Sequence, residues 1–133
     1  MLIETLSDAE TWYIRQDAAR LIGQFGQADE ATIKTLLHGL FDDDNDVRAA
    51  CVKALVRLAR RFPEVSKKIE AKLVNAIEKD ASFDKLDKIS SRTGHDYAFD
   101  GLWMLITGSS LEEYEMLFEN PSFYFNRAKY GTA

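Results

Sequence analysis

The sequence predicts an all-α fold in which amphipathic helices pack as stacked helical hairpins. Three observations support this prediction. Apolar residues recur at helical spacing through most of the chain. One pattern of helix, link and helix occurs more than once. The 133 residues include only two prolines and seven glycines, which favours helices over turn-rich β structure. A chain of this length forms one domain with a buried core.

The clearest helix is predicted within Asp42–Phe62, DDDNDVRAACVKALVRLARRF. Its apolar residues follow the spacing that places side chains on one face of a helix. They are Val47, Ala50, Cys51, Ala54, Leu55, Leu58 and Phe62. Asp44 or Asn45 can cap the first free N–H groups, and Asp46 complements the positive end of the helix dipole. The small residues on this face allow a neighbouring helix to come close.

The same pattern occurs 33 positions earlier, in Thr11–Gly26. Ile14-Arg15 there aligns with Val47-Arg48 of the clearest helix. The other aligned positions are apolar in both copies: Ala18 with Cys51, Leu21-Ile22 with Ala54-Leu55, and Phe25 with Leu58. A second apolar periodicity follows each of these helices. The repeating unit is therefore predicted to be a helix, a short link, a second helix and an acidic turn.

A third copy of the first helix is predicted at Tyr97–Ile106, after an inserted loop at 80–93. Gly94 and His95 stand there in place of the Val-Arg pair. Farther along, the capping box SLEE at 110–113 opens a short helix that is expected to continue to about Glu119.

The repeats divide the chain into units at about 8–41, 42–79 and 94–119, followed by a tail at 120–133. Met1–Leu6 matches the last turn of a second helix. This match suggests that the chain is a fragment of a longer repeat array.

Taken together, the residues of the first two units resemble HEAT repeats. The residues that carry the resemblance are Asp8, Trp12-Tyr13-Ile14-Arg15, Ala18 and Leu21, and then Asp42, Val47-Arg48, Cys51 and Ala54-Leu55. They are most similar to the short bacterial repeats of phycobilisome lyases and of the C-terminal arrays of NACHT-type NTPases. The resemblance implies an α-solenoid, a right-handed superhelix of about three helical hairpins in which each unit contacts only its neighbours.

The resemblance also implies a ladder of contacts between the acidic residues of the turns and the arginines of adjacent units. The residues that would form this ladder are Asp8, Arg15, Asp42 and Arg48. Because such a pair is partly buried, we expect it to set the register of the repeats more than to add net stability.

No catalytic, metal-binding or cofactor-binding residue is predicted. The chain lacks the GxxxxGK[ST] loop that holds nucleotide phosphates. Cys51 lies on the apolar face and is interpreted as a packing residue. His38 and His95 have no metal-ligand spacing around them, and the acidic run Asp42–Asp46 lacks the glycine and distal glutamate of an EF-hand loop. We therefore expect a non-enzymatic chain with no metal and no cofactor.

A basic cluster is the first candidate for partner binding. Six residues gather round one link between helices: Arg57, Arg60, Arg61, Lys67, Lys68 and Lys72. They could bind phosphate or an acidic partner. Positive charge is also favourable at the C-terminal end of a helix for purely structural reasons. The net charge of −5 disfavours general affinity for nucleic acid or for an anionic membrane.

The aromatic tail is the second candidate. Phe123, Tyr124 and Phe125 are spaced irregularly, and exposed aromatic residues often mark interfaces. The alternative is that Phe118, Phe123 and Phe125 fold back to cover the last repeat, because the end of a repeat array needs a cap.

These observations predict a scaffold or regulatory segment that binds a protein partner or another domain of its own parent chain. The resemblance implies a larger cytoplasmic bacterial parent, such as a NACHT-type signalling NTPase. The alternative is a phycobilin lyase-like subunit that holds an open tetrapyrrole, and a nucleic-acid-binding module ranks below it. One cysteine excludes an internal disulfide and favours a reducing compartment. No apolar run approaches the roughly 20 residues that a membrane span requires.

Overall fold

The computed structural model of the chain describes residues 2–78 and 93–118. Within these ranges the protein consists of seven α-helices and one short 3₁₀-helix, with no β-strand. The helices are α1 (Leu2–Asp8), α2 (Trp12–Phe25), α3 (Glu30–Gly39), α4 (Asn45–Arg61), α5 (Ser66–Glu78), α6 (Gly94–Thr107) and α7 (Leu111–Phe118). The 3₁₀-helix, Pro63–Val65, links α4 to α5.

The helices form two layers. In the first layer, α4 lies between α2 and α6 and packs against both. In the second layer, α3 lies between α1 and α5. Helix α4 also packs against α3 and α5, so it contacts both layers. This arrangement confirms the predicted all-α solenoid.

Helix α4 is the centre of the core because nearly all of its faces are buried. Its N-terminus is capped by Asp44, which accepts hydrogen bonds from the backbone N–H groups of Asp46 (2.8 Å) and Val47 (3.3 Å). The predicted apolar face is buried, with Ala50 and Phe62 only partly so. Four further buried residues make the buried surface of α4 wider than the predicted face: Ala49, Val52, Val56 and Ala59. A helix that is apolar on most sides belongs in a core.

Glycines let α4 approach its first-layer neighbours closely. A Cβ atom on Gly23 of α2 would lie 2.8 Å from the Cα atom of Ala54. A Cβ atom on Gly101 of α6 would lie 2.7 Å from Cγ2 of Val52. Both distances are shorter than real carbon–carbon contacts, so the two helix crossings require the absence of a side chain.

Helix α6 begins three residues earlier than predicted because Thr93 caps it. The Thr93 hydroxyl accepts from the Asp96 N–H (3.1 Å), and the Asp96 carboxylate accepts from the Thr93 N–H (3.0 Å). These reciprocal bonds form a capping box. The helix ends at Gly108, whose positive φ of 73° suits glycine.

The predicted capping box of α7 is present. The Glu113 N–H donates to the Ser110 hydroxyl at 3.0 Å, and the Ser110 N–H donates to the Glu113 carboxylate at 2.9 Å. The predicted end of this helix, at about Glu119, lies outside the described residues. Residues 80–92 of the predicted inserted loop at 80–93 and the aromatic residues Phe123, Tyr124 and Phe125 also lie outside them.

Helix α7 is attached to the first layer. It packs on α6, where the Tyr114 hydroxyl donates to the Asp100 carboxylate at 3.1 Å. Its Glu115 carboxylate lies 3.1 Å from Nζ of Lys53 on α4. The short helix therefore spans the two first-layer helices α6 and α4.

Candidate interaction surfaces

Arg15 connects three segments of the first repeat junction. Its Nε and Nη2 atoms donate to the two carboxylate oxygens of Asp42 at 3.0 and 2.9 Å. Its Nη1 atom donates to the backbone carbonyls of Ala9 (2.8 Å) and Glu10 (3.2 Å). Both side chains of the ion pair are only 15% exposed. The hydrogen bonds that Arg15 donates to Asp42 raise the pKa of the Arg15 guanidinium above its usual value.

Arg48 occupies the equivalent position in the second repeat but has a different partner set. It donates to the backbone carbonyl of Asp42 and to the side-chain oxygen of Asn45. Its Nε atom is buried and has no hydrogen-bond partner, and its guanidinium lies 5.8 Å from the centre of the Tyr97 ring. Asp8 is exposed at the end of α1. The structure therefore joins Arg15 to Asp42 through side chains, and the four-residue ladder stays a prediction.

Two exposed arginines of the basic cluster donate hydrogen bonds to neighbouring helices. Arg60 donates to the backbone carbonyls of Met104 (3.1 Å) and Ser109, at the C-terminal end of α6. Arg61 donates to the backbone carbonyl of Gly23 (2.8 Å), in the last turn of α2. The carbonyls at helix ends lack helical partners and carry partial negative charge. The end of α4 is thereby tied to both of its first-layer neighbours.

The other four residues of the basic cluster differ in how exposed they are. Arg57 is half-buried, and its aliphatic chain lies beside Gly23. Lys67, Lys68 and Lys72 are exposed on α5, where Lys67 lies 3.7 Å from the carboxylate of Glu70. Within the described residues, the three lysines are therefore the exposed part of the cluster that makes no contact with another helix, whereas Arg60 and Arg61, which are also exposed, each bind backbone carbonyls of a neighbouring helix.

The exposed residues of α1, α3 and α5 form what we call the second-layer surface. They are Glu4, Ser7 and Asp8 on α1; Glu30, Ala31, Lys34 and His38 on α3; and Lys67, Lys68, Ala71, Lys72, Val74, Asn75 and Glu78 on α5. The α1 end of this surface carries acidic residues without a lysine or arginine, whereas α5 contributes three lysines. The surface is therefore acidic at one end and richer in positive charge at the other.

Asp100 and Tyr114 form a buried polar pair that the sequence analysis did not identify. Asp100 is 1% exposed and Tyr114 is fully buried. The signal in the sequence was an aspartate on an apolar helix face, three residues after Tyr97 and four before Met104. A buried carboxylate requires a hydrogen-bond donor, and the Tyr114 hydroxyl supplies one.

Cys51 lies in the core, against Gly39 of α3. Burial raises the pKa of its thiol, which disfavours the thiolate form that a nucleophile requires. His95 packs edge-on against Phe41 with 5.6 Å between ring centres, while His38 is exposed on α3.

Residues 2–78 and 93–118 contain neither a cluster of metal ligands nor a membrane-spanning helix. No group of three or more histidine, cysteine, aspartate or glutamate side chains in these ranges could hold a metal ion. None of the helices in the described part of the chain has the length and apolar character needed to cross a membrane.

Comparisons with known proteins agree with this architecture. A family model described as HEAT repeats matches residues 1–83. A HEAT repeat-containing taxis protein of Halobacterium salinarum is 34% identical to the chain over 56 residues, which are 42% of this chain and 14% of that protein. The matched segment thus spans a small part of a longer relative. No solved structure matches the chain significantly.

HEAT repeats generally act as scaffolds for protein–protein interaction. Because the family model covers more than half of the sequence, the chain belongs to the HEAT repeat family.

Proposed function

We propose that the chain is a non-enzymatic scaffold that binds a protein partner through the second-layer surface, as a segment of a larger cytoplasmic protein. The observation that carries this proposal is the row of exposed side chains on α1, α3 and α5, which the buried core holds in fixed relative positions. The relative from Halobacterium salinarum supports a larger protein because it extends far beyond the matched segment. A bacterial NACHT-type NTPase as the parent stays a prediction from sequence resemblance.

The α5 end of the second-layer surface favours an acidic partner segment. Lys68 and Lys72 lie one helical turn apart and are both exposed. Val74 adds an exposed apolar side chain to the same helix. Charge complementarity of this kind directs association and selects among partners. An acidic peptide or protein surface with an apolar residue fits these groups.

The proposal is tested by removing the two lysine charges. Lys68→Gln/Lys72→Gln is expected to weaken binding of an identified, purified partner about tenfold or more, with the fold retained by circular dichroism. Phe99→Glu/Met116→Glu is the matched control, because it lowers the net charge by the same two units at exposed positions on α6 and α7. The control should leave the affinity unchanged. Unchanged affinity in the lysine variant, or an equal loss of affinity in the control, would overturn the proposal.

Two further measurements separate this function from its alternatives. A change in the absorption spectrum of an open tetrapyrrole on mixing with the chain would favour the bilin-binding alternative. Retardation of DNA that falls steeply with salt would favour the nucleic-acid alternative. The scaffold function predicts neither result.

A further inference from the structure

Helix α2 has an exposed apolar face, which we call the open face and which consists of Ile14, Leu21 and Phe25. Ile14 and Phe25 are 43% and 71% exposed, and Leu21 is half-buried. Their spacings of seven and four residues place the three side chains on one side of the helix. Their counterparts 33 positions later are completely buried in α4: Val47, Ala54 and Leu58.

The matching side of each later first-layer helix packs on the first-layer helix that precedes it. Ala54 of α4 lies against Gly23 of α2, and Arg61 donates to the Gly23 carbonyl. Gly101 of α6 aligns with Ala54 at an offset of 47, and it lies against Val52 of α4. The two repeat junctions therefore share one geometry. The open face of α2 is the side that this geometry would place against a further first-layer helix.

Asp8 gives a second, independent indication of the same partner. It follows the apolar residues of α1 as Asp42, 34 positions later, follows those of α3. Asp42 accepts two hydrogen bonds from Arg15 of the preceding first-layer helix, at 3.0 and 2.9 Å. Asp8 is exposed, and no ion pair or side-chain hydrogen bond involves it within residues 2–78 and 93–118. Its position suits an arginine of the helix that would cover the open face.

We propose that the open face of α2, together with Asp8, binds the first-layer helix of another HEAT-type repeat that precedes this one in the parent chain. That helix carries an arginine at the position of Arg15, which donates to Asp8. It also carries glycine or alanine at the position of Gly23, because Leu21 is larger than Ala54 and needs the space. The site is separate from the second-layer surface, so the proposal goes beyond partner binding there and does not depend on it.

The test supplies the preceding helix from the chain itself. A second copy of residues 8–41 is inserted before Asp42, so that the original α2 precedes the α2 of the inserted copy. Arg15 of the original unit would then lie opposite Asp8 of the inserted copy. We expect a folded monomer with increased helical content by circular dichroism and a single urea transition.

The same substitutions in the wild type and in the inserted copy locate the contact. Phe25→Asp should lower the urea midpoint by about 1 M in the inserted copy, where the side chain becomes buried, and much less in the wild type. Asp8→Ala should likewise lower the midpoint only in the inserted copy. Lys34→Asp, at an exposed position on α3, is the control and should leave both midpoints unchanged.

Three results would overturn the proposal. One is an inserted copy that adds no helical content. Another is an equal effect of Phe25→Asp, or of Asp8→Ala, in the two proteins. The third is a dimer of the wild-type chain in sedimentation velocity that Phe25→Asp disrupts, because the open face would then belong to a second copy.

Discussion

The ion pair between Arg15 and Asp42 shows how hydrogen bonds stabilise a partly buried charge where two repeats meet. The arginine uses both oxygens of the carboxylate and two backbone carbonyls, so a single side chain joins the ends of α1 and α3 to α2. A partly buried pair gains little net stability when it is compared with apolar residues. Removing one partner is costly, because the other charge is left without its hydrogen bonds.

Arg15→Ala is therefore expected to lower the free energy of unfolding by roughly 1–3 kcal/mol. Lys34→Ala, at an exposed position on α3, should change it by less than about 0.5 kcal/mol. Urea unfolding of both variants checks this difference. Equal shifts of the two midpoints would contradict the role of Arg15 in the junction.

The carboxylate of Asp29, which caps α3, makes the stability of the fold depend on pH. Its carboxylate accepts the Thr32 N–H at 2.8 Å, and hydrogen bonding to Thr32 lowers the pKa of Asp29 below 3.8. A lowered pKa in the folded state stabilises the fold above the unfolded-state pKa, and this contribution is lost as the pH falls through the folded-state value. The stabilisation from Asp29 is therefore lost as the pH falls from about 3.8 to lower values.

Asp29→Ala should lower the free energy of unfolding by roughly 0.5–2 kcal/mol at pH 7, which is the usual contribution of an N-cap residue. The difference between wild type and Asp29→Ala should shrink as the pH falls below about 3.8. Asp29→Asn is the control, because asparagine caps the helix without titrating. Urea midpoints measured between neutral and acidic pH give the result, and a difference that grows on acidification would contradict this account.

At the scale of the helices, the close crossing of α2 and α4 depends on Gly23. Gly23→Ala would force a Cβ atom to within 2.8 Å of the Ala54 backbone, which cannot move without shifting α4. Overpacking costs roughly 1–3 kcal/mol, and the better helix propensity of alanine returns up to about 1 kcal/mol. Thermal unfolding should therefore show a less stable protein. Asn75→Ala, exposed on α5, is the control, and a more stable Gly23→Ala variant would contradict the crossing.

The docking of α7 depends on the side chain of Tyr114. Tyr114→Ala removes both the buried ring and the hydrogen bond to Asp100, so the amides of α7 should exchange with solvent much faster while those of α4 stay protected. Tyr114→Phe keeps the ring and should give an intermediate rate. Hydrogen exchange followed by mass spectrometry measures both variants. Unchanged protection of α7 in Tyr114→Ala would show that the ring does not hold it.

The sequence alone predicts local features well and long-range ones poorly. Helix α4 was predicted correctly because its cap, Asp44, and its apolar spacing lie within the helix itself. The contacts of Arg60 and Arg61 with the ends of α6 and α2 could not be predicted, because they join residues 38 to 49 positions apart. The burial of Asp100 was missed for the same reason, since it depends on where α7 packs.

At the scale of the whole molecule, α4 connects the parts of the solenoid. It packs against two helices of its own layer and two of the other, whereas α2 has an open side. In such an array each helix is stabilised by its immediate neighbours. The exposed side chains of the second layer are consequently fixed relative to one another, which is the property that a scaffold requires.

Site-specific photo-crosslinking in cells tests the scaffold function most directly. A photoreactive amino acid at Val74, on the second-layer surface, is compared with the same group at Glu112, which is exposed on α7. We predict a discrete protein adduct from position 74 that is lost in the Lys68→Gln/Lys72→Gln background, and none from position 112. Adducts from position 112 alone, or an adduct from position 74 that persists without the two lysines, would contradict the account.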